Sequence, residues 1–154
     1  MSKIRIKKSS TADTRTCDWS KVTKDVLLSS SRQHIEDVRE GLHLFVRMII
    51  KASDDHDHTK ISAIDSFFAD FQNGFKTTKW WEMHQAVERH HISNQAVIRY
   101  DVNLIDVLEY VVDCVMAGKA RSGSVYPLKL PHELLEKAFQ NTVKILTDSV
   151  EVEP

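Results

Sequence analysis

The stretch that decides the fold runs from residue 31 to residue 52 and reads SRQHIEDVREGLHLFVRMIIKA. Its apolar side chains repeat with the 3.6-residue period of an α-helix over about five turns. They are Ile35, Val38, Leu42, Phe45, Val46 and Ile49. We therefore predict a long helix that begins near Ser31 and ends near Ala52, before the polar run of residues 53–55.

Similar helical patterns lie on both sides of this stretch. Asp18 is placed to cap an earlier helix from about Trp19 to Leu28. Thr59 or Ser62 is placed to cap a later helix that ends at Asn73-Gly74, since glycine often follows the last helical turn. The apolar residues of that later helix are Ile64, Phe67, Phe68 and Phe71.

Three more helices complete the predicted set. A fourth helix begins at Thr77 or Thr78 and runs to about Ile92, and a fifth runs from Leu104 to Met116 and stops at Gly118. Pro131 is placed at the first turn of a sixth helix. The expected core face of the sixth helix consists of Leu134, Leu135, Phe139, Val143 and Leu146. With only four glycines and three prolines in the chain, these patterns predict an all-α, single-domain bundle of about six helices.

The chain length of 154 residues fits one domain. We assign residues 18–149 to the helical domain, residues 1–17 to a flexible N-terminal arm, and residues 150–154 to a disordered tail. Within the arm, Ile4 and Ile6 alternate with Arg5 and Lys7, which permits a short strand.

Composition narrows the partners and the compartment. A net charge of −1 does not point to nucleic acid or to a membrane surface, and no apolar run approaches the ~20 residues of a membrane span. The basic N-terminus has no apolar stretch after it, so we do not expect it to act as a signal peptide. Cys17 and Cys114 lie far apart and are expected to be free thiols. We therefore expect a cytoplasmic protein.

Histidine is the unusual component, with eight residues in the chain. The string His56-Asp57-His58-Thr59-Lys60 lies at a predicted helix boundary. Adjacent His and Asp side chains can both bind one divalent metal, the imidazole as a borderline ligand and the carboxylate as a hard one. We interpret His56 and Asp57 as candidate metal ligands.

A second string is His84-x5-His90-His91. If the fourth helix continues through it, His84 and His91 share a face with a rise of ~10.5 Å between them. That separation suits two metal ions ~3.5–4 Å apart better than one. Glu88 lies on the same face, and His90 points elsewhere unless the helix has already ended. The alternative is a solvated polar face beside Trp80 and Trp81.

Two further elements extend the candidate site. Glu109 and Asp113 share a face of the fifth helix, and a carboxylate in the apolar run around Asp113 needs a metal, Arg or His partner. Asp106 competes for this role but also suits an exposed or capping position. His34 comes 22 residues before His56, which leaves room for a helix that returns to the same site. His43 is the alternative, since it lies 180° from His34 around the helix.

The order His34, His56-Asp57, His84, His91, Asp113 resembles the HD-domain metal-dependent phosphohydrolase superfamily, which is named for an H…HD…D ligand order on a helical bundle. His56-Asp57-x-x-Lys60 also resembles the HD-x-x-K string of its two-metal phosphodiesterase branch, in which the lysine helps to bind phosphate. Residues 32–122 resemble most closely a group of small phage and bacterial proteins. Their pattern runs H, HD-x-SK, H-x5-HH, E-M-x-x-D-W.

This chain departs from that group at three places. Glu88-Arg89 replaces Asn-Pro before the double histidine, Cys114 replaces Trp after the last Asp, and Thr59 replaces Ser before the lysine. The first two changes alter the surroundings of the cluster, while the candidate ligands themselves are all present.

The resemblance implies a site for one or two divalent ions. His34, His56, Asp57 and Asp113 would hold one ion, and His84, His90 or His91 a second, with Asp57 as a bridge. The mixed ligand set suits Mn, Fe, Co, Ni or Zn better than Mg alone. A metal lowers the pKa of a bound water towards ~7, so that hydroxide can attack phosphorus.

Charged residues around these ligands complete the expected mechanism. Candidates to neutralise the phosphate charge are Lys60, Arg89, Lys119 and Arg121, and Glu88 or Glu109 would orient a ligand histidine. The lysine and arginine of the fifth helix also suit an ordinary helix C-terminus. The expected substrate is a small phosphate ester, with a nucleotide as the superfamily-based choice. If a phage encodes the chain, it would act in the host cytoplasm.

Two other classes of function fit the same sequence. An HD fold that has lost catalysis would bind metal or nucleotide without turnover. An interaction protein would use Trp80-Trp81 as an exposed anchor for a host partner, since tryptophan is enriched at interface hot spots; core packing of at least one of the two is the competing interpretation. A homodimer is expected by analogy alone.

Overall fold

The structure is a computed structural model that describes residues 3–9, 17–77, 79–125 and 127–153. In that part of the chain the α-helices are α1 (Lys24–Asp55), α2 (His58–Ser62), α3 (Ile64–Gln72), α4 (Lys79–Val87), α5 (Leu104–Ser122) and α6 (His132–Ser149). The strands are β1 (Ile4–Lys7) and β2 (Val150–Glu153). The mostly helical class is confirmed. None of the described helices has the length and apolar character needed to cross a membrane.

The chain divides into two compact units. One unit combines residues 1–47 with residues 143–154, and the other comprises residues 48–142. All residues of the candidate site discussed below, except His34, belong to the second unit.

The two chain ends form a small parallel sheet within the first unit. Ile4 pairs with Val150 and Ile6 with Val152, and the side chain of Ile4 is buried. The short strand predicted at Ile4 and Ile6 is thus confirmed. The prediction of a disordered tail is wrong for residues 150–153, because alternating valines give them a strand partner in β1. Residues 1, 2 and 10–16 of the predicted arm and residue 154 of the predicted tail lie outside the described residues.

A single long helix replaces the first two predicted helices. The Thr23 side chain accepts a hydrogen bond from the Val26 amide at the start of α1, and the helix then runs unbroken to Asp55. Asp18 does cap a helical turn as predicted, but this is a short 3-10 turn over Trp19–Lys21. The predicted start at Ser31 is wrong because neither Gly nor Pro interrupts residues 24–40.

The apolar stripe that predicted α1 is solvent-exposed over much of its length. Its exposed members include Ile35, Val38, Leu42 and Val46. The buried positions of the helix are instead Ser30, Gly41 and Leu44. The periodicity therefore identified the helix correctly but not the face that the protein buries.

The core of the second unit joins α6 to the segment between α4 and α5. Its buried members are Ile92, Val102, Leu134 and Ala138. The backbone oxygen of Pro131 accepts from the amides of residues 134 and 135, so Pro131 does begin α6. The predicted core face of α6 is wrong in part, since Leu135, Phe139 and Val143 are exposed and the small side chain of Ala138 occupies the most buried position.

Two helix ends differ from the predictions in ways that matter for the site. The predicted fourth helix was too long, because α4 stops at Val87 and a turn follows; its predicted start at Thr78 lies outside the described residues. The predicted fifth helix was too short, because α5 passes through Gly118 and ends at Ser122, followed by the C-cap residue Gly123, where φ is +72°. Gly74 has a φ of +68° at the predicted end of α3.

Two helical glycines allow a matched test of the fold. A Cβ at Gly118 would lie 2.7 Å from the backbone oxygen of Ser124, whereas a Cβ at Gly41 would meet nothing closer than 3.6 Å, a methyl of Leu146. Alanine is favoured over glycine in helices by about 1 kcal/mol. We expect Gly41→Ala to raise the free energy of unfolding by about 1 kcal/mol in urea denaturation. Gly118→Ala should lower it by about 1–3 kcal/mol, and equal stability of the two variants would contradict the close approach at Gly118.

Candidate metal centre

The HD pair forms the turn between α1 and α2. α1 ends at Asp55, and His56 and Asp57 follow it before α2 begins at His58. Asp57 has φ 54° and ψ 21°, in the left-handed region. Aspartate tolerates this region better than most side chains. The tight turn therefore places an imidazole and a carboxylate side by side at a rigid helix junction.

The Asp57 carboxylate is the centre of the cluster. Its Oδ1 atom lies 3.4 Å from His84 Nε2 and 3.5 Å from His90 Nε2. Its Oδ2 atom lies 3.5 Å from His56 Nε2 and is contacted by the Lys60 ammonium group. Asp113 Oδ1 is 3.9 Å from the same His56 nitrogen. One carboxylate is thus faced by three imidazole nitrogens and one ammonium group.

The spacing of these atoms fits a divalent ion. Two donors that each lie ~2.1 Å from a tetrahedral metal are ~3.4 Å apart. Three groups of candidate ligands have all their donor atoms within 4.8 Å of one another. They are His56 with His90 and Glu109, Asp57 with His84 and His91, and His56 with Asp57 and Asp113. Asp57 belongs to two of these groups.

Unpaired buried atoms converge at the same place. In the part of the chain that the structure describes, the buried side-chain polar atoms without a hydrogen-bond partner are Asp57 Oδ1, His84 Nε2, His91 Nε2 and Trp80 Nε1. Three of these four atoms belong to Asp57, His84 and His91, which are the residues of one candidate ligand group. Because an unpaired buried polar atom costs about 1–3 kcal/mol, this concentration is unfavourable unless an ion or water joins them.

Thr59 forms a hydrogen bond with Nδ1 of His84, while Nε2 of the same ring lies next to Asp57. The Thr59 hydroxyl lies 2.6 Å from Glu88 Oε1 and 2.6 Å from His84 Nδ1. A carboxylate can only accept, so the hydroxyl donates to Glu88 and accepts from Nδ1–H of His84. That tautomer leaves a lone pair on His84 Nε2, directed at Asp57. Thr59 was not among the predicted site residues, although the HD-x-[ST]-K string of the resemblance contained the signal.

Glu109 performs the same task for two other rings. Its Oε1 atom accepts from His56 Nδ1 at 2.9 Å and from His90 Nδ1 at 3.0 Å. In its neutral form each ring is thereby held as the tautomer with a lone pair on Nε2. Carboxylate–imidazole pairs of this kind orient the histidine ligands of metal sites, as expected for Glu109 from the sequence.

Two tryptophans flank the His84 ring. Trp80 stacks on it with centroids 4.7 Å apart, and Trp81 with centroids 5.4 Å apart. Trp80 is 3% exposed. The alternative of Trp80-Trp81 as an exposed anchor is therefore wrong for Trp80, and the interpretation that at least one of the two tryptophans packs in the interior is confirmed.

The double histidine lies closer to His84 than the sequence predicted. The rings of His84 and His91 have centroids only 4.7 Å apart, because α4 ends at Val87 and the chain turns back. The rise of ~10.5 Å expected from a continued helix is wrong for that reason. The same turn brings both His90 and His91 to the cluster, whereas a continued helix would have directed His90 elsewhere.

Several predicted residues lie in other surroundings. His34 is on the part of α1 in the first unit, with no chain reversal in α1 between it and the HD turn, and it enters none of the ligand groups found among the described residues. Glu88 Oε1 accepts a hydrogen bond from the Thr59 amide and lies 3.2 Å from His58 Nδ1. Lys119 and Arg121 lie in the last turn of α5, where Lys119 donates to the Gly123 carbonyl.

Arg89 has a partner outside the cluster. Its Nε and Nη2 donate to the two oxygens of Asp106 at 2.7 and 2.8 Å, and its Nη1 donates to Asp101 at 3.1 Å. Asp106 also completes a capping box with Asn103 at the start of α5. This bidentate pair holds the turn after α4 against α5. The contacts of Arg89 therefore indicate a structural role, and not the phosphate-binding role that the sequence suggested.

The surroundings of His84, His90 and His91 shift the pKa values of these three histidines in different directions. Burial lowers the pKa of His84, and burial together with the neighbouring His90 lowers the pKa of His91 to about 4. Burial is the largest single influence on His90 and opposes its charged form, but the hydrogen bond to Glu109 and the charges of Glu109, Asp57 and Asp113 together outweigh burial and raise the pKa of His90. At Asp57 burial is the largest single influence, but the hydrogen bond and charge of Lys60 together with the charges of His56 and His90 outweigh burial and lower the pKa of that carboxyl. At neutral pH the cluster thus presents an ionised carboxylate and neutral His84 and His91 rings, the protonation states that metal ligands need.

Comparisons with known proteins add no relatives. No protein-family model matches the chain, and no curated protein and no solved structure matches it either.

The Thr59 relay can be tested by a matched pair of variants. Thr59→Val removes the hydroxyl and leaves the buried Glu88 carboxylate short of a donor, so we expect a loss of about 1–3 kcal/mol in the free energy of unfolding. Thr59→Ser keeps the hydroxyl and should lose at most about 1 kcal/mol. Nitrogen-15 NMR should report the Nδ1–H tautomer of His84 in wild type and in Thr59→Ser; the opposite tautomer in wild type would contradict the relay.

The low pKa of His91 gives the metal-free protein a defined pH dependence. The ordinary value is 6.5 and the folded value is about 4, so between these values the unfolded chain binds more protons. Stability should therefore fall as the pH falls from 6.5 to 4, by up to about 3 kcal/mol from this residue. NMR titration of the His91 ring should give a midpoint near 4, and a midpoint at or above 6.5 would contradict the assignment.

Proposed function

We propose that this protein is a metal-dependent phosphohydrolase that acts on a small phosphate ester. The proposed ligands are His56, Asp57, His84, His90, His91 and Asp113, with one or two divalent ions. The observation that carries the proposal is that three unpaired buried atoms, Asp57 Oδ1, His84 Nε2 and His91 Nε2, belong to residues whose ligand atoms lie within 4.8 Å of one another. His34 is left out of the proposed set because it joins none of the ligand groups.

The ligand chemistry supports a borderline or transition metal. Several imidazoles with two carboxylates suit Mn, Fe, Co, Ni or Zn better than Mg, which prefers oxygen ligands. When bound, such an ion supplies a Lewis acid and lowers the pKa of water. The two oxygens of Asp57 face different histidines, His84 and His90 on one side and His56 on the other. This arrangement supports a bridging role for Asp57 if two ions bind.

The remaining residues position the ligands and bind the phosphate. Glu109 orients His56 and His90, and the Thr59–Glu88 pair orients His84. Lys60 is the cation nearest to Asp57, and its ammonium group is the proposed phosphate contact. A flexible lysine can leave Asp57 Oδ2 and bind a substrate oxygen as a point charge. The superfamily-based choice of a nucleotide as substrate stays a prediction.

The first test measures metal. Wild-type protein purified without chelator and reconstituted with Mn, Co or Zn should hold one to two equivalents by elemental analysis. Asp57→Asn keeps the shape of the side chain but removes its charge, so we expect it to lose at least one equivalent. His43→Ala is the matched control, since His43 is an exposed histidine of α1 outside the proposed set. Absence of metal from reconstituted wild type would contradict the proposal.

The second test measures turnover in the same samples. Phosphate esters with a nitrophenyl leaving group, one monoester and one diester, should be hydrolysed by wild type and by His43→Ala. Asp57→Asn should be at least about a hundredfold slower, because it loses the electrostatic stabilisation of the transition state. Metal binding without turnover of either ester or of nucleotides would favour the alternative of a binding module.

A further inference from the structure

A pocket of about 380 Å³ opens beside the candidate metal centre, between the end of α1 and α5. Small-molecule sites in proteins have volumes of about 300–1,000 Å³, so its size suits a small ligand. Its lining residues from α1 and the HD turn are Ile49, Ala52, Ser53 and His56, and those from α5 are Ile105, Leu108, Glu109, Val112, Asp113 and Met116.

The pocket has two chemically different ends. His56, Glu109 and Asp113 form its polar end, and all three belong to the candidate ligand groups. The rest of the wall is aliphatic apart from Ser53. A ligand that reaches the ligand groups with a phosphate would therefore lay the remainder of its body against Ile, Leu, Val, Ala and Met side chains.

The apolar end lacks the groups that recognise a nucleobase. Among the described residues that line it there is no Trp, Tyr or Phe on which a base could stack, and no Asn, Gln, Arg or Lys to bond its edge. Stacking platforms and edge contacts are the usual means of base recognition. Burying the polar edge of a base without such partners is unfavourable, whereas a hydrocarbon has no polar group that must give up hydrogen bonds to water when it packs against the same wall.

The rim of the pocket gives a second reason for an apolar occupant. Val112 is 52% exposed and Met116 is 65% exposed, so water covers large apolar side chains there. Covering this surface with an aliphatic chain removes apolar area from water on both partners. The gain is absent for a short or polar ester.

We propose that this pocket binds the hydrocarbon part of the substrate, and that the preferred substrate class is an aliphatic phosphate monoester rather than a nucleotide. The inference rests on the proposed function for the role of the phosphate end. The apolar end stands on its own, because its lining does not depend on a metal ion.

Binding of ethyl, butyl and hexyl phosphate to metal-reconstituted protein tests the proposal by calorimetry. Each fully buried methylene adds roughly fourfold to affinity, and the rim is partly open, so hexyl phosphate should bind at least about tenfold more tightly than ethyl phosphate. Hexanol serves as a probe without phosphate. It should shift the NMR methyl signals of Leu108, Val112 and Met116 even in metal-free protein.

A matched pair of variants localises the effect. Val112→Asp places a charge in the pocket, while Val111→Asp changes its neighbour on α5, which is also exposed and does not line the pocket. We expect Val112→Asp to bind hexyl phosphate no better than ethyl phosphate, with unchanged metal content. Val111→Asp should keep the preference for the longer chain.

The outcomes separate this inference from the proposed function. If wild type holds no metal but hexanol still shifts the pocket methyl signals, the proposed function fails and the apolar site stands. If metal binds but chain length has no effect and hexanol shifts nothing, the pocket proposal is overturned. Tighter binding of AMP than of hexyl phosphate would overturn it too. It would also be overturned if wild type shows no chain-length preference and sediments as a dimer that Val112→Asp converts to monomer, since the pocket would then be a contact between two copies of the chain.

Discussion

The site depends on one carboxylate. Asp57 lies at a helix junction in a left-handed backbone conformation, and the Nε2 atoms of His56, His84 and His90 all lie within 3.5 Å of one of its oxygens. Burying so many polar groups is unfavourable unless each has a partner. The structure supplies partners for the outer nitrogens of these rings, through Thr59 and Glu109, and leaves inner atoms of the cluster unpaired. That asymmetry is the physical basis for the proposed metal.

A second set of polar contacts, outside the cluster, accounts for the end of α4. The turn after Val87 is held by the pair of Arg89 with Asp106, and it brings His90 and His91 back towards His84. Without that turn the three rings would be spread along a helix. A residue expected to bind phosphate therefore serves the site indirectly, by closing the segment that carries two of the candidate ligands.

The sequence predicted much of this arrangement, and its errors have physical causes. The HD turn, the histidine string and Glu109 could be recognised from residue type and spacing, because such side chains cluster where polar groups have a shared partner. The end of α4 could not, since Val87-Glu88-Arg89 contains no Gly or Pro and the helix stops through a tertiary ion pair. His34 was included on the assumption of a chain reversal that the unbroken α1 does not contain. The exposed stripe of α1 shows in the same way that periodicity identifies a helix without identifying its buried face.

The most direct measurement of the central claim is an anomalous diffraction experiment on crystals grown with Zn or Mn, recorded on both sides of the metal absorption edge. We predict an anomalous peak ~2.0–2.2 Å from Asp57 Oδ1 and from the Nε2 atoms of His84 and His91, with a second peak near His56 and Asp113 if two ions bind. Ordered water at these atoms, with no anomalous signal at saturating metal, would show that the cluster is a hydrated polar network and not a metal site.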